Sequence, residues 1–115
     1  MSLELEIRFF KFVERCRDFC RESKWDIINV VYIKQLIRSS SSVSANYVEA
    51  SDDLGKADEK MNLKISRREA KESINWLRLM LLYDDLKLEK ERTFLVDEAE
   101  QIRKILSAII KKLGG

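Results

Sequence analysis

The sequence predicts an all-α protein, an up-down-up-down antiparallel four-helix bundle, and three observations carry that reading. Proline is absent and glycine occurs three times, twice at the C-terminus, so the punctuation expected of a β protein is missing. Four segments repeat apolar or small residues at alternating steps of three and four, which holds one stripe on one helix face. The breaks between these segments are short, and short connections make successive helices antiparallel neighbours. A chain of 115 residues has room for one core, so residues 1–115 are read as one domain.

Helix one is expected at roughly 3–23, with Leu5, Phe9, Phe12, Cys16 and Phe19 in phase. Ser23 and Asp26, in "SKWD", supply cap and turn chemistry. Helix two, roughly 28–54, carries Ile33, Leu36, Ser40, Val43, Tyr47, Ala50 and Leu54. Gly55, the only interior glycine, reads as a helix terminator, and Asp58 as the N-cap of the next helix. Helix three, roughly 58–85, aligns Leu63, Ser66, Ala70, Ser73, Leu77 and Met80. After a break in "YDDLKLEK", helix four at roughly 90–113 aligns Leu95, Ala99, Ile102, Leu106, Ile109 and Leu113.

Helix two contains four consecutive serines, Ser39 to Ser42, which would ordinarily mark a linker. Leu36, Val43 and Tyr47 continue in phase across them, so the run is helix interior, at a few tenths of a kcal/mol per residue relative to alanine. Ser40 points into the stripe and the other three fan out around the helix. Short side chains let helices approach closely. The opposite face carries Arg38, Ser42, Ala45 and Glu49, flanked by Gln35 and Asn46. Arg38 and Glu49 stand about 16 Å apart along the axis and cannot pair with each other. Antiparallel pairing about Lys56 puts Arg38 level with Glu72 to Ile74, Asn46 with Ser66, and Glu49 with Leu63 to Lys64. An Arg38 contact with Glu69 or Glu72 is expected. The interhelical polar network therefore comprises Arg38, Ser42, Asn46, Glu49, Glu69 and Glu72.

Helix three has a second face, with Met61, Ile65, Trp76, Leu79 and Tyr83 spaced at helical steps around Glu72. One reading is a wide core with Trp76 and Tyr83 partly exposed. The other, favoured here, is a subunit interface, because a surface helix of a monomer needs only one apolar face.

"QLIRSSSSVSANYVEAS" followed by "KADEKMNLKISRREAKESINWLRLM" resembles the four-helix-bundle family encoded in intervening sequences of bacterial 23S ribosomal RNA genes. That family is similar to the accessory variability protein of diversity-generating retroelements. Gln35, Leu36, Arg38, Ser42, Val43, Asn46, Glu49, Glu69, Ala70, Glu72, Trp76 and Leu77 carry the likeness. Ser44 stands where many relatives have proline or glycine, Ala50 where some have glycine, and "EKM" at 59–61 is more polar than usual. The resemblance implies a ring, commonly a pentamer, with no established catalysis.

The residues themselves point the same way on chemistry. Histidine is absent, which removes the commonest general base and metal ligand together. Glu69 and Glu72 supply carboxylates without the histidines of a di-iron motif. No glycine-rich phosphate loop occurs. Cys16 and Cys20, four apart on one helix, suit reduced, buried thiols better than a disulfide, a zinc site or a nucleophile. Neither catalytic residues, metal nor cofactor is expected. The N-terminus lacks secretory features, and no apolar run is long enough for a bilayer, so a cytoplasmic protein is expected, with no membrane partner and no small-molecule substrate.

Lysine and arginine (22) nearly balance aspartate and glutamate (20), so the net charge of +2 exerts little general pull on polyanions. Arg67, Arg68, Arg103, Lys104, Lys111 and Lys112 nevertheless cluster locally. Basic residues in a last helical turn also complement the helix dipole. Repeated around a ring, the same residues would form a basic rim able to contact RNA or DNA. Two functions are expected: a non-catalytic homo-oligomeric scaffold that docks another protein, or a nucleic-acid-binding ring, which the resemblance implies would act with a reverse transcriptase or ribosomal RNA.

Overall fold

Small residues along the facing sides of the second and third helices let these two pack most intimately, and the other helices complete the bundle around them. The computed structural model describes residues 2–52 and 55–114. It contains α1 (Leu3–Glu22), α2 (Asn29–Ala50), α3 (Lys56–Leu79) and α4 (Leu86–Lys112). Each helix packs on its two neighbours, and no diagonal pair meets among the described residues. The result is an up-down-up-down bundle, 46 Å long and about half as wide. Its core runs its full length through Phe9, Phe19, Ile33, Tyr47, Leu77 and Leu106. Near one end Phe9 and Tyr47 meet edge to face at 4.8 Å.

The boundaries follow from local chemistry. Ser2 caps α1, its hydroxyl accepting from Leu5 N–H, and Ser23 closes it with Oγ donating to Phe19 O at 2.8 Å. The Asp26 carboxylate accepts from Ile28 and Asn29 N–H and so seats the start of α2. Leu54, expected in helix two, lies outside the described residues. Gly55 occupies the N-cap position of α3 at φ 98°, a left-handed conformation that suits glycine. Asp58 is correspondingly not the cap; it and Glu59 lie in the first turn, favourable toward the positive helix end.

The third connection departs most from expectation. α3 ends at Leu79 instead of near 85, and α4 begins at Leu86 instead of near 90. Met80 and Leu82 turn inward and are buried, which draws the chain off the helix path. Arg92 on α4 donates to the carbonyls of Leu77 (3.2 Å) and Met80 (2.6 Å), satisfying the end of α3 from outside it. Asp85 caps α4 by accepting from Leu88 N–H. Tyr83 and Asp84 both have positive φ, 52° and 61°. Tyr83 is therefore a connection residue and shares no helix face with Trp76.

A buried side chain that periodicity did not single out locks this end. Asn29 Nδ2 donates to Lys24 O and Leu81 O, and its Oδ1 accepts from Leu81 N–H at 2.8 Å. The amide thus ties the α1–α2 and α3–α4 connections together. Replacing Asn29 with alanine would leave backbone groups of Leu81 without their partner. The expected cost is about 3 kcal/mol, read as a lower denaturant midpoint at unchanged helicity. Asn29→Asp should not restore stability, because a carboxylate cannot donate.

Candidate interaction surfaces

The α2–α3 seam is built from serines. Ser39 Oγ and Ser73 Oγ stand 2.8 Å apart, both buried, and Ser66 Oγ donates to Val43 O at 2.7 Å across the seam. Ser39 therefore does not fan outward with Ser41; it shares the buried side of α2 with Ser40. The helix closes on α3 over an arc wide enough to take two adjacent serines.

Beside this seam lies Glu69, only 3% exposed at its side chain. Arg38 reaches it at 2.6 Å and also stands 3.7 Å from Glu72, while Arg68 stands 3.7 Å from Glu69. Burial by itself would raise the Glu69 carboxyl. Its hydrogen bond with Glu72 and the Arg38 guanidinium outweigh that, and the net direction is down. The bond to Glu69 and partial burial push Glu72 upward. The two carboxylates thus share one guanidinium and are shifted in opposite directions.

Other expected members of the network are placed differently. Asn46 Nδ2 bonds within α2, to Ser42 O at 2.9 Å and Ser42 Oγ at 2.8 Å. Gln35 accepts from Arg38 Nε. Glu49 is exposed and makes no ion pair or hydrogen bond through its carboxylate among the described residues. Arg38, Glu69 and Glu72 thus come together; Ser42 and Asn46 form a separate local pair, and Glu49 joins neither.

On the outer side of α3, Met61 is 58% exposed and Leu79 42%. Ile65 and Trp76 between them are partly buried, and Trp76 stacks on Tyr32 with ring centroids 6.3 Å apart. Trp76 Nε1 is buried without a hydrogen-bond partner among the described residues. A further apolar groove lies between α1 and α2, lined by Leu3, Ile7, Phe10 and Val48. Its signal was present as a second phase in helix one, Leu3–Ile7–Phe10, offset from the Phe9–Phe12 core stripe.

The basic residues divide between α3 and α4. Arg67 donates to Ser107 Oγ at 3.2 Å and bridges the two helices. Arg68 and Arg103 line a concavity of about 520 Å³ between them, together with Lys71, Arg78, Glu72 and Glu100. Glu100 holds Arg103 at 3.2 Å. Lys104, Lys111 and Lys112 are exposed farther along α4, the last two in its final turn. Lys71 and Arg78 extend this basic side beyond the residues picked out by sequence clustering.

The cysteines take no part in these surfaces. Both are buried, and burial raises Cys16 well above the usual thiol range and Cys20 to about 12. Neither forms a thiolate readily.

The model of the 23S rRNA-intervening sequence protein family matches residues 4–108. A crystal structure of a protein of unknown function from the S23 ribosomal protein family of Bacteroides thetaiotaomicron is similar, with 27% sequence identity and a TM-score of 0.76. The likeness covers 92% of this chain and 97% of that one. A comparison with curated proteins found no match.

Arg38→Met leaves the buried Glu69 without its closest cation and is expected to destabilise by about 1–3 kcal/mol at neutral pH. The sign with pH follows from the shift. A lowered Glu69 contributes stability above its unfolded pKa, lost as pH falls through its folded value; raised Glu72 works the opposite way. Without Arg38, burial dominates at Glu69, and protonation relieves it. The gap between parent and variant should therefore narrow as pH falls from neutral toward about 4, measured as the difference in urea midpoints.

Proposed function

The chain belongs to the 23S rRNA-intervening sequence protein family, and from that premise we propose that it is a non-catalytic homo-oligomeric scaffold or adaptor. Its subunits join laterally through the outer face of α3 into a ring. Met61 and Leu79 carry this reading: both stand in solvent on a face that also holds Ile65 and the half-buried Trp76, with Arg68 and Glu72 between them. The core stripe Leu63–Ala70–Leu77 already fills the inner side of the same helix. A second apolar side on one helix finds its natural cover in a neighbouring copy. Five subunits is the number implied by the resemblance, giving a particle of five 13.6 kDa chains.

The scaffold reading requires no reaction. Arg38 neutralises the acidic pair at the α2–α3 seam, and both thiols are buried with raised pKa values. A cytoplasmic setting without cofactor, membrane or small-molecule substrate belongs to the same proposal. Among the described residues, no helix is long and apolar enough to cross a membrane.

A second reading is favoured by one observation, the concavity between α3 and α4 with Arg68, Lys71, Arg78 and Arg103 on its walls. Along α3, Arg68 to Arg78 spans about 15 Å, enough to follow several phosphates of a single strand. Farther along α4, Lys104 and Lys111 are exposed about a quarter-turn from Arg103, and Lys112 on the opposite side of the helix. In a ring, each subunit would repeat this stripe for RNA or DNA.

Trp76→Ala combined with Leu79→Ser should give smaller species by light scattering while far-ultraviolet dichroism stays helical. A double variant that sediments like its parent would remove the α3 face as the interface. For the nucleic-acid reading, retention on an immobilised RNA should fall steeply as salt is raised from about 50 to 200 mM, and Arg68→Ala with Lys71→Ala should shallow that dependence. No retention at low salt would eliminate it.

A further inference from the structure

One end of the bundle carries a concentration of exposed apolar side chains that neither reading above uses. It is formed by the α1–α2 and α3–α4 connections and presents Trp25, Ile27, Ile28, Leu81, Tyr83 and Leu86. Ile27 is 86% exposed and Leu86 83%, the most exposed large hydrophobic residues among those described. Trp25 and Tyr83 are each more than half exposed.

The two aromatic residues and the connections that carry the patch are held in place. Trp25 Nε1 donates to Cys20 O at 2.9 Å, the Tyr83 hydroxyl donates to the Asp26 carboxylate, and Lys24 Nζ lies 5.0 Å from the Tyr83 ring centroid. Asn29 binds both connections from beneath. Tyr83 and Asp84 adopt left-handed backbone, and each such non-glycine residue costs on the order of 1 kcal/mol or more. Backbone of that kind persists where its surroundings over-determine it. Here the strained turn points Tyr83 and Leu86 into solvent instead of toward the core.

Area and charge indicate the occupant. Trp25 and Tyr83, at about 150–250 Å² per aromatic side chain and each more than half exposed, leave on the order of 200 Å² outside, and Ile27, Ile28, Leu81 and Leu86 add to it. The largest patch on an ordinary monomer is about 300–600 Å², whereas each side of a standard protein interface buries about 800 Å². The connections and adjoining helix ends hold both signs, Lys24 and Lys87 beside Glu22, Asp84 and Asp85 in sequence, with Glu22 and Lys87 3.6 Å apart. A surface that meets itself about a two-fold axis needs this mixture, so that cations of one copy can face acids of the other.

We propose that this end of the bundle docks the same end of a second copy of the chain, in a two-fold contact separate from the lateral α3 face. The contact is independent of the ring. Lateral rings, where they form, would be paired end to end by it.

Ile27→Glu with Leu86→Glu tests the contact at two positions too exposed to affect folding. The expected result is that the particle mass of the full chain falls to half while helicity and melting temperature hold. Ile27→Cys adds a direct readout, because the native thiols are buried. A short bismaleimide should couple position 27 of one copy to position 27 of another, much faster than it couples a Lys34→Cys control on the flank of α2. The Trp76→Ala, Leu79→Ser variant should retain the 27–27 product even where its lateral assembly is lost. Unchanged mass in the double glutamate variant would overturn the proposal. So would coupling at 27 no faster than at 34, or loss of the 27–27 product in the lateral variant. A change of mass confined to the lateral variant would leave the ring standing and this contact refuted.

Discussion

Glu69 is a carboxylate buried at a helix–helix seam, and the arrangement of α2 against α3 depends on how its charge is met. A buried acid without a partner would lose its proton only at high cost or hold it against neutral pH. Arg38 supplies the partner from α2, and it can reach because the seam beside it is lined with serines. Ser39, Ser66 and Ser73 are short enough for close approach and also bond across the gap. Close packing and charge compensation are therefore one constraint: bulkier residues at the serines would move Arg38 away from Glu69.

The outer surfaces follow from that seam. Once α2 and α3 are set side by side, Trp76 is turned to the flank where it stacks on Tyr32, and Met61 and Leu79 remain outside. On its other side α3 meets α4 across the Arg67–Ser107 bond, leaving a concavity lined by Arg68, Lys71, Arg78 and Arg103 together with Glu72 and Glu100. One helix thus contributes to an apolar flank, an acid–arginine cluster and a basic groove. The α1–α4 seam is closed differently, by bidentate Arg8–Glu98 and Arg15–Glu91 pairs with Arg15 lying 3.6 Å over the Phe94 ring.

The ends of the bundle differ in kind. Where α1 begins, Tyr47 accepts from Ser2 N–H and packs on Phe9, so an aromatic side chain is taken into the core. At the other end aromatic and aliphatic side chains project outward, fixed by Asn29 and Asp26. A surface already held in one shape loses little conformational freedom on association, which would suit the proposed docking role. Both thiols are buried with raised pKa values, and Glu69 and Glu72 meet Arg38 at the α2–α3 seam.

Repetition along the chain was enough for the four helices and most of each buried stripe, because alternating steps of three and four hold one face; at the end of α4, however, Ile110 is buried while Ile109 and Leu113 are only partly so, as is Leu5 at the start of α1. The level of Arg38 relative to Glu69 and Glu72 was legible for the same reason: antiparallel neighbours run at a constant sum of residue numbers. The connections were not legible. Met80 and Leu82 continue an apolar pattern that reads as helix, yet they fold into the core and end α3 early, helped by Arg92 from another helix and by two left-handed residues. That difference moved Tyr83 from the α3 flank to the end of the bundle. Ser39 and Asn29 were hidden likewise, since a small or polar residue shows its burial only when a partner from a distant part of the chain arrives to satisfy it. Local periodicity decided which four segments were helical, but not where α3 ended and α4 began. Which polar groups meet, and which apolar ones are left outside, waited on the packing of all four helices.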